Sequence, residues 1–245
     1  MGLTVVEVLG RSVQGRTQPY ICRCDDGEIY FVKGRSATRA GLSAEWLCVR
    51  LGDAIGLPVA PYAMAMVPEE LMEADLTGWL SDLGSGEVFA SRRVHAVDLT
   101  EVHRNRVPQQ QRRDVLAFDW WVHNADRTLT VKGGNANLLW NPANAGSLVV
   151  IDHNLAFDPA FSTAQFCQLH VFSDDIAAMF HDGFVREGYR ARFQAALNNW
   201  DEYCDSLPAS WAYVDLERTI PASLPLTTIK ALLDRAQTDI FWQLP

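Results

Sequence analysis

Residues 118–157, FDWWVHNADRTLTVKGGNANLLWNPANAGSLVVIDHNLAF, decide how the rest of the chain is interpreted. This stretch holds two short apolar runs, Leu-Leu-Trp at 138–140 and Leu-Val-Val-Ile at 148–151, separated by the turn-rich NPANAG. Short apolar runs on either side of a turn that contains Pro and Gly predict a β-hairpin.

Three polar residues occupy defined places around this hairpin. Asp126 lies in a polar loop after an apolar helix, Asn137 opens the first strand, and Asp152 closes the second. In an antiparallel hairpin the start of the first strand lies beside the end of the second, so Asn137 and Asp152 would lie side by side. Phosphoryl transfer needs such a set. One carboxylate accepts the proton of the attacking hydroxyl, while an amide oxygen and a second carboxylate hold Mg²⁺.

The succession of NADR, NxNLLW and IDHNLAF resembles the HipA-like kinases, a branch of the protein-kinase-like fold that also includes the phosphatidylinositol kinases. The corresponding family motifs are a catalytic loop with Asp-Arg or Asp-His, an Asn before two aliphatic residues, and an Ile-Asp metal motif. The resemblance implies Asp126 as the catalytic base, and Asn137 with Asp152 as the metal ligands.

Two features depart from the family pattern. The span between Asp126 and Asn137 is longer than is usual in kinases, and it contains Lys132 followed by two glycines. A His-Asn pair also follows Asp152, where Phe-Gly is more common. Lys132 either contacts the transferred phosphoryl group, as a catalytic-loop Lys does in many kinases, or faces solvent.

The residues beside Asp126 have open roles at this stage. Arg127 follows it directly, and either meets the γ-phosphate, meets a carboxylate, or holds the loop. His123 precedes the loop, and either acts as an acid–base group or braces the loop by a hydrogen bond.

The first third of the chain predicts three antiparallel strands, at 4–9, 20–24 and 28–33. Gly10 and Gly15 bound the first connecting loop. In the kinase interpretation, this loop lies over the nucleotide phosphates with its N–H groups turned toward them. The alternative is an ordinary turn, because two glycines at a hairpin have no specific meaning.

Lys33 closes the third predicted strand, and a helix with Ser43 as its N-cap and a stop at Gly56 follows. Glu45 lies in the first turns of this helix. In kinases, a Lys–Glu pair between this strand and this helix positions the lysine on the nucleotide phosphates. The alternative is that both are ordinary surface residues.

The fold expected from these patterns is a two-lobed α+β protein-kinase-like fold. Residues 1–95 would form a lobe with a small antiparallel sheet and one helix, in which the stretch 59–67 is an edge strand because it contains Pro61. Residues 96–245 would form a mainly helical lobe. The two lobes would make one kinase-like domain, with ATP and Mg²⁺ between them.

Composition narrows the function classes. The net charge of -9 disfavours a groove that follows nucleic-acid phosphates. The five cysteines form no CxxC pair, which disfavours a zinc site or a disulfide framework, and Cys22 and Cys24 are assigned to packing. The sequence has neither a signal peptide nor a membrane-spanning apolar run, so a cytoplasmic location is expected.

The sequence thus predicts an ATP- and Mg²⁺-dependent phosphotransferase, whose substrate is a protein Ser or Thr hydroxyl if the family analogy holds. Two other hypotheses stay open. One is a pseudokinase that binds nucleotide, or nothing, and docks a partner. The other is a kinase for a small-molecule hydroxyl. The sequence specifies neither the substrate nor the oligomeric state.

Overall fold

A computed structural model describes residues 2–13, 18–129, 133–142, 147–215, 218–222 and 224–244. The chain divides into two compact units. The first, the barrel unit, comprises Met1–Trp46, Ala60–Val94 and Leu207–Ser223. The second, the helical unit, comprises Leu47–Val59, His95–Ser206 and Leu224–Pro245. Both units are therefore assembled from segments that are distant in sequence.

The described residues of the barrel unit form five strands. They are β1 (Leu3–Arg11), β2 (Tyr20–Cys24), β3 (Ile29–Lys33), β4 (Tyr62–Val67) and β5 (Gly86–Arg92). They form a closed barrel in the order β1-β2-β3-β5-β4. Neighbouring strands are antiparallel except β1 and β4, whose short parallel pairing, from Leu3↔Ala65 to Thr4↔Met66, closes the barrel.

The closed barrel corrects the expectation of a small antiparallel sheet. Strand β4 begins at Tyr62, and Pro61 just before it has no N–H to donate but accepts a hydrogen bond from the Arg92 N–H of β5 at 2.7 Å. Strand β4 pairs with β5 on one side and with β1 on the other. The predicted edge position of this strand is therefore wrong, and closure removes the unpaired edges that an open sheet would leave.

Alternating side chains of β2 and β3 fill the barrel interior. Tyr20, Cys22 and Cys24 of β2 are buried together with Tyr30 and Val32 of β3. Burial raises the pKa of the Cys22 thiol to about 12 and that of Cys24 to about 12. Both thiols are therefore protonated at neutral pH and serve as packing groups, as predicted.

Helix α1 (Arg39–Ala54) follows β3 after a short 3₁₀ turn. The Oγ1 atom of Thr38 accepts a hydrogen bond from the Gly41 N–H at 3.1 Å, so Thr38 caps the helix. Ser43, the predicted N-cap, is instead buried within the helix. The predicted stop is confirmed, because Gly56 follows the helix with φ +77°, a left-handed conformation that glycine adopts without strain.

The segment Leu207–Ser223 belongs to the barrel unit although it lies late in the chain. Trp211 is buried, and its Nε1 donates to the Glu87 carbonyl at 2.9 Å. The Ser210 hydroxyl donates to the Glu87 carboxylate at 2.7 Å. This segment, which the sequence marks only as a separator between helices, is thus fixed on β5.

The helical unit holds a three-stranded sheet in the order β6-β7-β8, namely β6 (Val97–Asp98), β7 (Leu138–Asn141) and β8 (Ser147–Val150). Strands β7 and β8 are antiparallel from Leu138↔Val150 to Asn141↔Ser147, which confirms the predicted hairpin.

The described helices after α1 lie mainly in the helical unit. They are α2 (Glu69–Glu73, in the barrel unit), α3 (Glu101–Arg104), α4 (Gln109–Trp121), α5 (Thr163–Leu169), α6 (Ile176–His181), α7 (Gly183–Leu197), α8 (Trp200–Asp205) and α9 (Leu226–Asp234). None of these described helices combines the length and the apolar content that crossing a bilayer requires.

Helix α4 is buried all round over its second half, residues 115–121. Trp121 stacks on Phe193 of α7 with ring centroids 4.1 Å apart, and Trp120 meets Phe180 of α6 edge-to-face at 5.0 Å. Aromatic pairs of this kind contribute about 0.5–1.5 kcal/mol beyond their buried area. The helix therefore gives the loop that follows it a rigid base.

Candidate active site

A buried ion pair lies at the end of β3. Lys33 Nζ is 2.7 Å from Glu45 Oε2, and the two residues are 8% and 1% exposed. Strand β3 delivers the lysine as its last residue, and Glu45 comes from the second turn of α1. A charge removed from water is costly unless an opposite charge accompanies it, so each side chain fixes the other. The pairing predicted from the sequence is present.

Of the two glycines predicted to cover the nucleotide phosphates, Gly10 and Gly15, the structure describes Gly10. Gly10 lies within β1 opposite Ile21, beside a register shift, and not in the first loop. A Cβ atom at Gly10 would meet no atom within 4 Å, so packing does not require glycine there. Gly15 lies outside the described residues.

Asn137 and Asp152 flank the β7–β8 hairpin. The Ile151 N–H donates to the Asn137 carbonyl at 3.2 Å, which ties the two strand ends together. The Asn137 Nδ2 also donates to Asp126 Oδ2 at 2.9 Å. The structure thus joins the predicted catalytic carboxylate to one of the predicted metal ligands.

Both predicted metal ligands have a left-handed backbone, with φ of +48° at Asn137 and +59° at Asp152. This conformation is uncommon for residues other than glycine, although Asn and Asp tolerate it best. Such backbone strain persists only where surrounding contacts fix it, and it is often found at functional sites.

Arg127 supplies these contacts. It is fully buried, and its Nη1 donates to the carbonyls of Asn137 at 2.5 Å and Ile151 at 2.8 Å. Its Nη2 makes a longer contact of 3.5 Å with the Asp152 carbonyl. The guanidinium is thus directed at the main chain of the predicted metal-ligand segments. Of the three alternatives for Arg127, the structure shows two, a contact with a carboxylate, that of Asp119, and contacts that hold the loop. Its contact with the nucleotide stays a prediction.

Asp119 of α4 is the anionic partner of Arg127, and it is also fully buried. Its Oδ2 is 2.8 Å from Arg127 Nε and 3.0 Å from His170 Nε2, while its Oδ1 accepts from Asn124 Nδ2 at 2.9 Å. Burial alone would raise the pKa of Asp119, but the Arg127 charge and the hydrogen bond from His170 outweigh it and lower the pKa. The carboxylate is therefore charged at neutral pH.

His170, which follows α5, contributes a neutral imidazole. Burial lowers the pKa of His170, with Asp119 acting in the opposite direction. The Nδ1 accepts from the Phe172 N–H at 3.1 Å, so the Nε2–H is the atom that donates to Asp119.

Asp119, Asn124 and His170 are the residues of this network that the sequence prediction missed. Asp119 lies within residues 115–121 of α4, which are buried on every side. An acid between two aromatic residues in a wholly apolar half-helix was the available signal, because a buried carboxylate requires a cationic partner. His170 is 51 residues away and has no local signal.

His123 braces the loop, as one of the two sequence alternatives proposed. Its ring stacks on Phe161 with centroids 4.2 Å apart, and its Nε2 is 2.5 Å from Arg235 Nη2. Burial, followed by the Arg235 charge, lowers the pKa of His123 to about 4. Its carbonyl also accepts the Asp158 N–H at 3.4 Å. A neutral, packed imidazole of this kind favours bracing over acid–base chemistry.

Two further residues belong to the motifs predicted from the sequence. Lys132, the predicted catalytic-loop lysine, lies outside the described residues, and its role stays a prediction. His153 is fully buried and packs edge-to-face on Phe118 with ring centroids 5.6 Å apart. An aromatic ring therefore packs at the position where the family pattern has Phe.

A Lys–Glu pair in a β-rich unit, together with an acid–amide–acid set in a helical unit, is typical of the protein-kinase-like class of phosphotransferases. A model of the HipA-like kinase family matches residues 5–245, and the chain therefore belongs to this family. No curated protein matches the chain.

Solved structures provide a second comparison. The chain is similar to the Helicobacter pylori proinflammatory kinase CtkA, with 11% identity over 94% of this chain and 91% of that one, and a TM-score of 0.55. A Golgi casein kinase with Mn and ADP bound is 9% identical over 99% of this chain and 72% of that one, with a TM-score of 0.43. The similarity to CtkA shows that the fold is kinase-like.

Proposed function

We propose that this chain is an ATP- and Mg²⁺-dependent phosphotransferase that phosphorylates a Ser or Thr hydroxyl of a protein. The observation that carries the proposal is the 2.9 Å hydrogen bond from Asn137 to Asp126, within a main chain that Arg127 holds. Membership of the HipA-like kinase family supports the same reaction class.

Asp126 acts as the base. Its carboxylate orients the substrate hydroxyl and accepts its proton as the hydroxyl oxygen bonds to the γ-phosphorus. The bond from the γ-phosphorus to the β–γ bridging oxygen breaks in the same reaction, and ADP leaves. The hydrogen bond from the Asn137 amide fixes one carboxylate oxygen of Asp126, which limits the rotation of that side chain.

Asn137 and Asp152 hold the divalent ion. Carboxylate and amide oxygens suit a hard cation, and Mg²⁺ commonly binds through one or two carboxylates plus substrate phosphates and water. A set of one carboxylate and one amide leaves coordination positions for nucleotide phosphates and water, which suits a nucleotide-linked ion. When bound, the ion neutralises the charge that develops on the phosphates.

Lys33 contacts the nucleotide phosphates, and Glu45 keeps the lysine in place. A buried ammonium that Glu45 already orients needs little reorganisation when a phosphate becomes a further partner. Gly10, Gly15 and Lys132 complete the proposal, with the glycines covering the phosphates and Lys132 contacting the transferred group.

Thermal unfolding with and without ATP and Mg²⁺ tests nucleotide binding. We expect stabilisation of the wild type that is lost in Asp152→Ala. Phosphate transfer from ATP labelled at the γ-position tests catalysis, and general-base loss predicts a decrease of about 10²–10⁴-fold in Asp126→Asn. Stabilisation without any transfer by the wild type would instead support the pseudokinase hypothesis.

The protein substrate rests on family analogy alone. Label transfer to a Ser/Thr peptide library, compared with transfer to a panel of small-molecule alcohols, separates protein and small-molecule kinases. Transfer confined to the small molecules would contradict the protein Ser/Thr assignment and leave the phosphotransferase assignment intact.

A further inference from the structure

The buried carboxylate of Asp119 is connected to three segments of the helical unit. Through Arg127 it reaches the carbonyls of Asn137 and Ile151, at 2.5 and 2.8 Å from Nη1. Through Asn124, whose Oδ1 accepts the Asp126 N–H at 3.3 Å, it reaches the catalytic loop.

The third connection runs through His170. Its Nε2 is 3.0 Å from Asp119 Oδ2, and the next residue, Val171, donates its N–H to the Arg127 carbonyl at 2.9 Å. The stretch after α5 is thus joined to both the side chain and the main chain of this network. A single carboxylate therefore ties together the base, the metal ligands and the segment that follows them.

We propose that Asp119 is a positioning residue that sets the metal ligands through Arg127 and the catalytic base through Asn124, an inference that rests on the proposed function. The connection through Arg127, here called the Arg127 arm, and the connection through Asn124, the Asn124 arm, have separate consequences. The Arg127 arm fixes the backbone at Asn137 and Asp152, so its loss weakens use of the divalent ion. The Asn124 arm fixes the amide of Asp126, so its loss slows the transfer itself.

Asp114 provides the matched control because it lies on the same helix, α4. It is also paired, with Arg192 Nη1 at 2.5 Å and the Tyr189 hydroxyl at 3.0 Å, both on α7. Asp114→Asn therefore makes the same chemical change at a partly buried ion pair that is directed at α7 and not at the loop.

The first measurement is the Mg²⁺ dependence of phosphate transfer, at temperatures where each variant is folded. We expect Asp119→Asn to raise the half-saturating Mg²⁺ concentration by about 10–100-fold, as loss of an outer partner of metal ligands typically does. Asp114→Asn should stay within about twofold of the wild type. Asn124→Ala should lower kcat by about tenfold with little change in the Mg²⁺ requirement, because it displaces only the base.

The second measurement is amide hydrogen exchange, which needs no nucleotide. In Asp119→Asn we expect exchange at Thr128, Ile151 and Val171 to be faster than in the wild type, with the amides of α7 unchanged, whereas Asp114→Asn should leave these three amides unchanged. Equal exchange at these three amides in both variants, or an unchanged Mg²⁺ requirement, would overturn the proposal.

The two assays also separate failure of the inference from failure of the proposed function. A wild type that transfers no phosphate to any hydroxyl would end the kinase proposal, and the exchange pattern would then decide the positioning role alone. If Asp119→Asn does not fold, Asn124→Ala keeps the Asp119–Arg127 ion pair and serves in its place. An unchanged kcat in that variant would reject the Asn124 arm and, with it, the proposal as stated.

Discussion

Lys33 in the barrel unit and Arg127 in the helical unit are both buried cations, yet their surroundings differ. The Lys33 side chain keeps 9% of its exposure and meets Glu45 at a single-atom contact of 2.7 Å. The Arg127 side chain keeps none, and its three nitrogens are directed at a carboxylate and at main-chain carbonyls. Lys33 presents a compact ammonium charge to the acid, whereas Arg127 presents a planar guanidinium with several donors to a carboxylate and to carbonyls.

This difference separates a residue that is able to bind an anionic ligand from one that stabilises the fold. An ammonium on a flexible stem can accept a further anionic partner while keeping its acid. A guanidinium whose donors are directed at fixed carbonyls would have to break those bonds to reach a phosphate. Position beside a motif therefore assigns a role less reliably than the chemistry of the cation and the geometry of the contacts that the folded chain supplies.

Arg127→Met tests the structural side of this comparison and has the largest expected effect. It leaves the Asp119 carboxylate buried without its cation and removes the donors to the hairpin carbonyls. We expect a loss of about 3–5 kcal/mol in the free energy of unfolding, measured by urea denaturation.

The control for this measurement is Arg50→Met in the Arg50–Glu202 pair, whose side chains are 28% and 69% exposed. Exposed pairs contribute about 0–1 kcal/mol, so this variant should unfold almost as the wild type does. Similar losses in the two variants would contradict the description of Arg127 as the central donor of the network.

The β7–β8 hairpin could be predicted because its signal is local, two apolar runs on either side of a turn. The Lys33–Glu45 pair was predicted from the kinase pattern, because the two residues by themselves are equally compatible with ordinary surface positions. The barrel could not be predicted in the same way. Its closure depends on two parallel residue pairs between β1 and β4, strands that are separated by β2, β3 and α1.

The anchoring of the site escaped prediction for a similar reason. In the helical unit, His170 contacts Asp119 across 51 positions of sequence. In the barrel unit, Trp211 contacts Glu87 across 124 positions. Both contacts result from tertiary packing, which periodicity does not encode. The one local signal, an acid within the apolar half of α4, predicts that a partner exists without identifying it.

Lys33→Met tests the proposed contact of Lys33 with the nucleotide phosphates, and its expected effect is intermediate. Loss of a charge-assisted contact to phosphate predicts a decrease in ATP affinity of about 1.5–3 kcal/mol, or roughly 10–100-fold, measured by calorimetry in the presence of Mg²⁺. Glu45→Gln should weaken binding in the same direction but less, because the ammonium remains and only its orientation loosens.

Lys230→Met is the control for nucleotide affinity. Lys230 pairs with Asp234 one turn further along α9, at 2.5 Å, and its side chain is 34% exposed. This surface pair makes no proposed contact with nucleotide, so the affinity should not change. If the Lys33→Met variant binds ATP with unaltered affinity, Lys33 does not contact the nucleotide phosphates.

The pH dependence of stability tests whether His170 and His123 are held neutral in the folded chain, and it has the smallest expected effect. The pKa of His170 is lowered mainly by burial, and that of His123 is lowered to about 4 by burial and by Arg235. Each imidazole therefore stays neutral in the folded chain below the unfolded pKa of about 6.5, where the unfolded chain takes up a proton. Stability is thus complete above this value and falls as pH decreases.

Between pH 6.5 and 5.5 we expect the free energy of unfolding to fall by about 1–2 kcal/mol, since each of the two histidines contributes about 1 kcal/mol over this pH unit when it stays neutral in the folded chain. Asp119 does not contribute in this window, because its lowered pKa gives stability that is lost only below about pH 4. His123→Gln should reduce the decrease, whereas the same change at the exposed His181 on α6 should leave it unaltered. An equal pH dependence in His123→Gln and the wild type would show that burial does not hold His123 neutral, and that its stacking on Phe161 tolerates a proton.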